Sequence, residues 1–167
     1  MFAMDLARFQ EITEVWSTVE FNLIRHTKGG EDRGHVLGPI DELNQNLEDN
    51  TLNLQSMSAS QFIGPFLPTV QKWEKSMRTI SNVLEAWVEL QKRWMYLEGI
   101  FVGGDIRTQL PDEAKRFDDV DKAFRKIMAE TEKNPNVLAC CSIDGELICL
   151  INYSNSYNYE KKNIFII

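Results

Sequence analysis

Apolar residues open the chain at Phe2, Leu6, Phe9, Ile12 and Trp16. Spacings of four, three, three and four place them on one face of a short amphipathic helix. From Thr18 to His26 the period shortens to near-alternation, with Val19, Phe21, Leu23 and Arg25 pointing one way. β-Branched and aromatic residues at that period predict a strand. Lys28 to Gly34 reads as a turn-rich loop and His35-Val36-Leu37 as the return strand, giving a small β-hairpin near the N-terminus. Gly38-Pro39 then opens a helix, since proline in the first turn loses no needed hydrogen bond. Ile40, Leu43, Leu47, Leu54 and Met57 keep a three-four spacing, interrupted at Asn50, and the helix is expected to stop near Ser58-Ala59-Ser60.

The strongest pattern follows. Val70, Trp73, Met77, Ile80, Leu84, Trp87, Gln91, Trp94 and Phe101 fall on a three-four seam, widened by Val83, Leu90 and Leu97. Neither proline nor glycine interrupts Thr69 to Glu98, so one helix of roughly 45–50 Å is predicted at 1.5 Å per residue. Its stripe is wider than a two-stranded coiled-coil seam and calls for more than one packing neighbour. Gln91 reads as the one polar residue of the seam, either fixing register by a hydrogen bond across the bundle or sitting at its wet edge. The helix breaks at Gly103-Gly104, where a sharp turn or hinge is expected. Pro111-Asp112-Glu113 starts another helix, with two acids placed favourably in its first turn. Ala114, Phe117, Val120, Phe124, Ile127 and Met128 supply its buried face, and Asn134-Pro135 ends it. The predicted fold class is mainly α: an elongated helical bundle with one long central helix and the small N-terminal hairpin. Residues 142–167 lose the helical period and read as a C-terminal tail foreign to the rest and unstructured, with Ile143–Tyr153 as a candidate strand. The bare apolar end Ile164–Ile167 would be an aggregation liability.

Composition adds exclusions. At 43% hydrophobic and 26% charged the chain is an ordinary globular sequence. Its net charge of −7 argues against a nucleic-acid binder. The charge is uneven: residues 1–60 hold 10 acids against 4 bases, and residues 61–133 hold 12 of each. The longest apolar run, near Leu147–Ile151, falls far short of the ~20 residues of a membrane helix. No signal peptide is evident, and a cytosolic, reducing setting is the default. Cys140, Cys141 and Cys149 suggest neither a disulfide framework nor a zinc site.

Lys28 to His35 is glycine-rich but lacks the lysine that follows the last glycine of a phosphate-binding loop, and two of its acids would oppose an anion. His26 and His35 flank the hairpin, and two nitrogen ligands without a third read as an exposed pair rather than a metal site. Cys140-Cys141 has no evident histidine to activate a thiol. Asp118, Asp119 and Asp121 lie among Arg116, Lys122, Arg125 and Lys126, so local helix ion pairs account for them. Trp73, Trp87 and Trp94 read as core. These residues therefore predict no catalytic, cofactor or metal site.

The run Trp87-Val88-Glu89-Leu90-Gln91-Lys92-Arg93-Trp94-Met95-Tyr96-Leu97-Glu98-Gly99-Ile100-Phe101 continues to Asp105-Ile106, then Gln109-Leu110-Pro111-Asp112-Glu113 and Phe117. It closely resembles the linker of dynein heavy chains, whose members show W-x-x-x-Q-x-x-W-x-Y-L-E-x-I-F, a D-I, then Q-L-P-x-E and a following F. Leu47-Glu48-Asp49-Asn50 and Phe62-Ile63-Gly64-Pro65-Phe66 to Trp73 look like the same family, whereas Pro68-Thr69 departs from it. Met95, Gly103-Gly104 and Lys126-Ile127-Met128 to Asn134-Pro135-Asn136-Val137 look axonemal rather than cytoplasmic. The resemblance spans Trp16 to Cys141, so residues 1–141 are assigned as a linker fragment and 142–167 as the non-matching tail.

The resemblance implies a force-transmitting lever lying across a ring of ATPase modules, with no ATP site in this chain. Its implied partners are the rest of the linker, the AAA+ ring and other dynein subunits, with no nucleic acid or membrane, in the cytoskeleton of a cilium or flagellum. An independent spectrin-like scaffold binding a protein partner is the alternative. Cut from its neighbours, a linker piece would expose apolar stripes, so poorly cooperative melting and binding of a hydrophobic dye are expected.

Overall fold

The computed structural model describes residues 2–141. The tail from residue 142 onward, with the candidate strand Ile143–Tyr153 and Cys149, lies outside the described residues. Helix α1 (Phe2–Thr18) is followed by strands β1 (Leu23–Lys28) and β2 (Glu31–Leu37), then helix α2 (Asp41–Ser58). A 3-10 turn at Gly64–Phe66 leads into α3 (Leu67–Phe101), and α4 (Ile106–Gln109), α5 (Pro111–Lys133) and α6 (Val137–Cys140) complete the order. The architecture is mainly α, organised on one long helix, with a two-stranded antiparallel hairpin near the N-terminus.

Helix α3 runs 35 residues, about 52 Å, and starts earlier than expected because Pro68 is accommodated in its first turn. Its buried face is Val70, Met77, Ile80, Val83, Leu84, Trp87, Leu90, Trp94, Glu98 and Phe101. Several neighbours share that face: α2, the hairpin strand β2, α5 and α6 all pack on α3. Burying a side chain such as Leu90 stabilises the fold by roughly 1.5–3 kcal/mol. Helix α5 buries all six residues predicted for it, plus Thr131, whose hydroxyl donates to Ile127 O at 2.8 Å. Trp94 and Phe124 stack at 4.3 Å, and Phe101 and Phe117 at 5.5 Å, joining α3 to α5.

The hairpin is tighter than the pattern suggested. Lys28 pairs with Glu31 across Gly29-Gly30, which adopt φ of 60° and 80°. Positive φ at both central residues is the turn whose twist matches paired strands, and it suits glycine. The residues expected to form a loop therefore extend β2 back to Glu31. The expected strand from Thr18 is shortened at the other end. Val19 to Asn22 lie outside β1, and Val19 to Phe21 are claimed by the segment after α5: Phe21 N donates to Pro135 O at 2.8 Å and Val137 N to Val19 O at 3.0 Å. Phe21 is buried edge-on against Trp87, with ring centroids 4.9 Å apart. Helix α2 begins at Asp41, two residues beyond Pro39, and ends at Ser58 as expected.

Candidate functional site

Three successive seam positions of α3, Gln91, Trp94 and Glu98, face the hairpin and α5 together. Gln91 clamps β2. Its Oε1 accepts from Leu37 N at 2.8 Å and its Nε2 donates to Leu37 O at 3.1 Å. A side-chain amide thereby satisfies both main-chain groups of one residue at the sheet edge, so Gln91 is hydrogen-bonded to the hairpin rather than left at a wet edge.

Seven residues further, Glu98 is 1% exposed and accepts on both oxygens. Oε1 lies 2.6 Å from His26 Nε2 and Oε2 3.1 Å from Arg33 Nε. The guanidinium, itself buried, bonds Asp121 of α5 through Nη2. Asp121 Oδ1 also accepts the indole N–H of Trp94 at 2.9 Å. Trp94 is the platform of the group: Arg33 lies over its ring at 5.9 Å and His26 meets it edge-on at 5.5 Å. One chain of charge-assisted hydrogen bonds thus ties β1, β2, α3 and α5 in a site shielded from water.

A second latch closes the turn after α3. Gly103 takes φ of 82° there. Arg107 Nε donates to Phe101 O, an otherwise orphaned carbonyl at the helix end, at 2.8 Å. Its two terminal nitrogens grip Asp118 of α5 at 3.1 and 2.7 Å. That bond holds the Asp118 carboxyl below the ordinary value of 3.8 and raises the guanidinium of Arg107.

These contacts correct three expectations. Gln91 is not the one polar residue of the seam, because Glu98 continues its three-four spacing. The two histidines are not an exposed pair: His26 sits against Glu98 and Trp94, and His35 Nδ1 lies 3.4 Å from Glu132. Asp118 and Asp121 are taken mainly by Arg107 and Arg33 from other elements, since tertiary partners outcompete the helix neighbours. Arg33 and Arg107 carry no signal in the sequence, because a hairpin strand and a four-residue helix are too short for burial to leave a periodic trace, and the ion pairing of His26 is equally invisible there.

The remaining signature residues divide by position. Trp87 and Phe117 are core, Trp73, Leu97 and Ile106 are half-buried, and Asp105, Gln109 and Pro111 lie on the surface. Tyr96 and Leu110 are exposed at 63% and 43%, so the motif is not simply a core motif. Burial pushes the Cys140 thiol up to about 11 and that of Cys141 up to about 12, which keeps both protonated at neutral pH. Among the described residues no group of three His, Cys, Asp or Glu is arranged to hold a metal ion. No described helix is long and apolar enough to cross a membrane.

A long helix bound to its neighbours by aromatic stacking and saturated buried charge defines a helical structural module. Comparison with known families names which one. The family model described as dynein heavy chain, N-terminal region 2, matches residues 6–162, and the chain belongs to that family. The match runs past Cys141, where the motif resemblance stops. The chain is 48% identical over 166 residues to dynein axonemal heavy chain 10 of Homo sapiens, covering 93% of this chain and 4% of that protein. It is 45% identical over 159 residues to the dynein-1-alpha heavy chain of the flagellar inner arm I1 complex of Chlamydomonas reinhardtii, covering 95% and 3%. With the ciliary dynein beta chain of Heliocidaris crassispina it shares 40% over 130 residues, covering 77% and 3%. The chain therefore spans a few per cent of the length of these relatives.

Proposed function

We infer that this chain is part of the linker of an axonemal dynein heavy chain and acts as a stiff element through which a motor transmits force. The observation that carries the reading is the buried Glu98–Arg33–Asp121 chain, which fixes the hairpin and α5 to one side of a continuous 35-residue helix. A lever must pass load through packed side chains rather than loops, and saturated charge at a shielded junction resists shear because partial separation strands a buried ion. In this reading ATP turnover resides elsewhere in the motor. The partners in this reading are the rest of the linker, the AAA+ ring and other dynein subunits, within the axoneme of a cilium or flagellum. The turn at Gly103-Gly104 is the point where such an arm would flex against its neighbour.

The test belongs in the whole motor. Glu98→Ala in the parent heavy chain is expected to lower microtubule gliding speed severalfold while ATP turnover per motor persists, because the stroke is uncoupled from hydrolysis. Gly103→Val is expected to slow gliding by stiffening and straining the turn. Unchanged gliding speed in both variants would remove the lever reading.

A further inference from the structure

Helix α5 carries a cationic face that its own sequence does not neutralise. Lys122, Arg125 and Lys126, spaced i, i+3 and i+4, share one side of the helix. With Gly34, His35, Ala129 and the acids Asp121 and Glu132 they line an open cleft of about 460 Å³ between β2 and α5, in which the cations outnumber the acids. All three are exposed.

Most of the acids that helical spacing offers them are engaged by other partners, while Asp119, three residues before Lys122, stays exposed on the helix. Asp118, four residues before Lys122, is gripped by Arg107. Asp121, four before Arg125, gives Oδ1 to Arg33 and Trp94, and its Oδ2 stays 4.0 Å from Arg125. Glu130, four after Lys126, bonds Lys133 at 3.0 Å. Glu132, at the edge of the cleft, lies 3.4 Å from His35. Among the described residues, Lys122 and Lys126 form no ion pair within 4.0 Å. The tertiary contacts that build the clamp thus leave three cations gathered on one wall of a cleft, in a chain whose net charge is −7.

We propose that this cleft docks a short glutamate- and aspartate-rich segment of another protein, whose carboxylates are taken by Lys122, Arg125 and Lys126. Charge-assisted hydrogen bonds from two ammonium groups and one guanidinium suit carboxylates. The occupant is a short protein segment rather than nucleic acid because a long polyanion would also meet the acidic remainder of the surface, where residues 1–60 hold 10 acids against 4 bases. A short segment feels chiefly the local field, which is screened within about 10 Å at ordinary salt. The proposal is independent of the lever reading.

The experiment measures fluorescence anisotropy of a fluorescein-labelled decaglutamate peptide titrated with the 167-residue chain. Binding is expected at about 50 mM salt and is expected to weaken as salt rises. K122E/R125E/K126E is expected to weaken it about tenfold or more, and the milder K122A/K126A about threefold. K72E/K75E/K92E changes net charge equally at exposed positions of α3 and is expected to bind as the unmodified chain does. If the reversal variant loses its helical circular dichroism, K122A/K126A decides the question. Failure of the unmodified chain to bind, or equal weakening by both triple variants, would overturn the proposal. So would an oligodeoxythymidine that binds more tightly through the same three residues. A dimer in sedimentation velocity that K122E/R125E/K126E dissociates would assign the face to a second copy instead, and would equally overturn it.

Discussion

Glu98 is a carboxylate placed where the heptad-like spacing of α3 would put an apolar side chain, and its surroundings explain why it is tolerated. Both oxygens are engaged, by His26 and Arg33, and neither is left to face hydrocarbon. A buried ion pair of this kind adds little net stability against an apolar replacement, yet removing one member strands the other. Glu98→Ala leaves Arg33 with only Asp121 and leaves His26 without its carboxylate. The variant is expected to lose about 3–5 kcal/mol in chemical denaturation of the isolated chain. Arg33→Leu alone is expected to cost a similar amount, and the double variant less than the sum, because the two changes share one interaction. Strict additivity in that cycle would show that the two groups do not act on each other.

Between elements, the decisive contacts join helix to edge strand and helix to helix through single polar side chains. Gln91→Ala removes two hydrogen bonds and leaves the N–H and C=O of Leu37, itself 5% exposed, without that partner. The expected loss is about 1–3 kcal/mol, with faster amide exchange at Leu37 than at positions of α5. Protection of Leu37 equal to the unmodified chain would mean the clamp is not what holds the edge. The Arg107–Asp118 latch yields a pH dependence of known sign. Because the folded state depresses the Asp118 carboxyl below 3.8, its contribution is full above that value and fades as pH falls toward the lower folded-state value. Both partners are substantially exposed, so the contribution is small, about 0.5 kcal/mol. Asp118→Asn is expected to lower the urea midpoint at neutral pH and to leave it nearly unchanged at pH about 2, where the unmodified chain has already lost the contribution.

For the molecule as a whole, the apolar stripes expected to stand open are largely covered within the chain. Trp16, Trp87 and Trp94 are fully buried and belong to one continuous core that spans α1, the hairpin, α2, α3, α5 and α6. A single core favours one transition, so tryptophan fluorescence and far-ultraviolet circular dichroism are expected to melt together. Leu52 and Leu110 remain exposed singly at 60% and 43%, whereas the partly exposed Leu6, Phe62 and Phe66 line one small apolar cavity beside α1, where a hydrophobic dye is expected to bind weakly. Two separated transitions, or strong dye binding before any loss of helix, would point back to stripes that need a neighbour to cover them.

Periodicity determined the four long helices, α1, α2, α3 and α5, but not the four-residue α4 and α6. The three-four seam of α3 and the buried face of α5 are consequences of 3.6 residues per turn, and prolines and glycines marked their ends to within a few residues. The same seam already contained Glu98 at a core position, a signal that a strict reading of spacing would have caught. What periodicity does not record is which partner a polar side chain will find. The capture of Phe21 by the segment around Pro135 and the reach of Arg33 from β2 to Glu98 and Asp121 join residues far apart in the chain, and the withdrawal of Asp118 to Arg107 joins two separate helices. Each was settled by competition between local and distant partners, and the distant ones prevail because buried charge must be paired wherever the packed core happens to bring it.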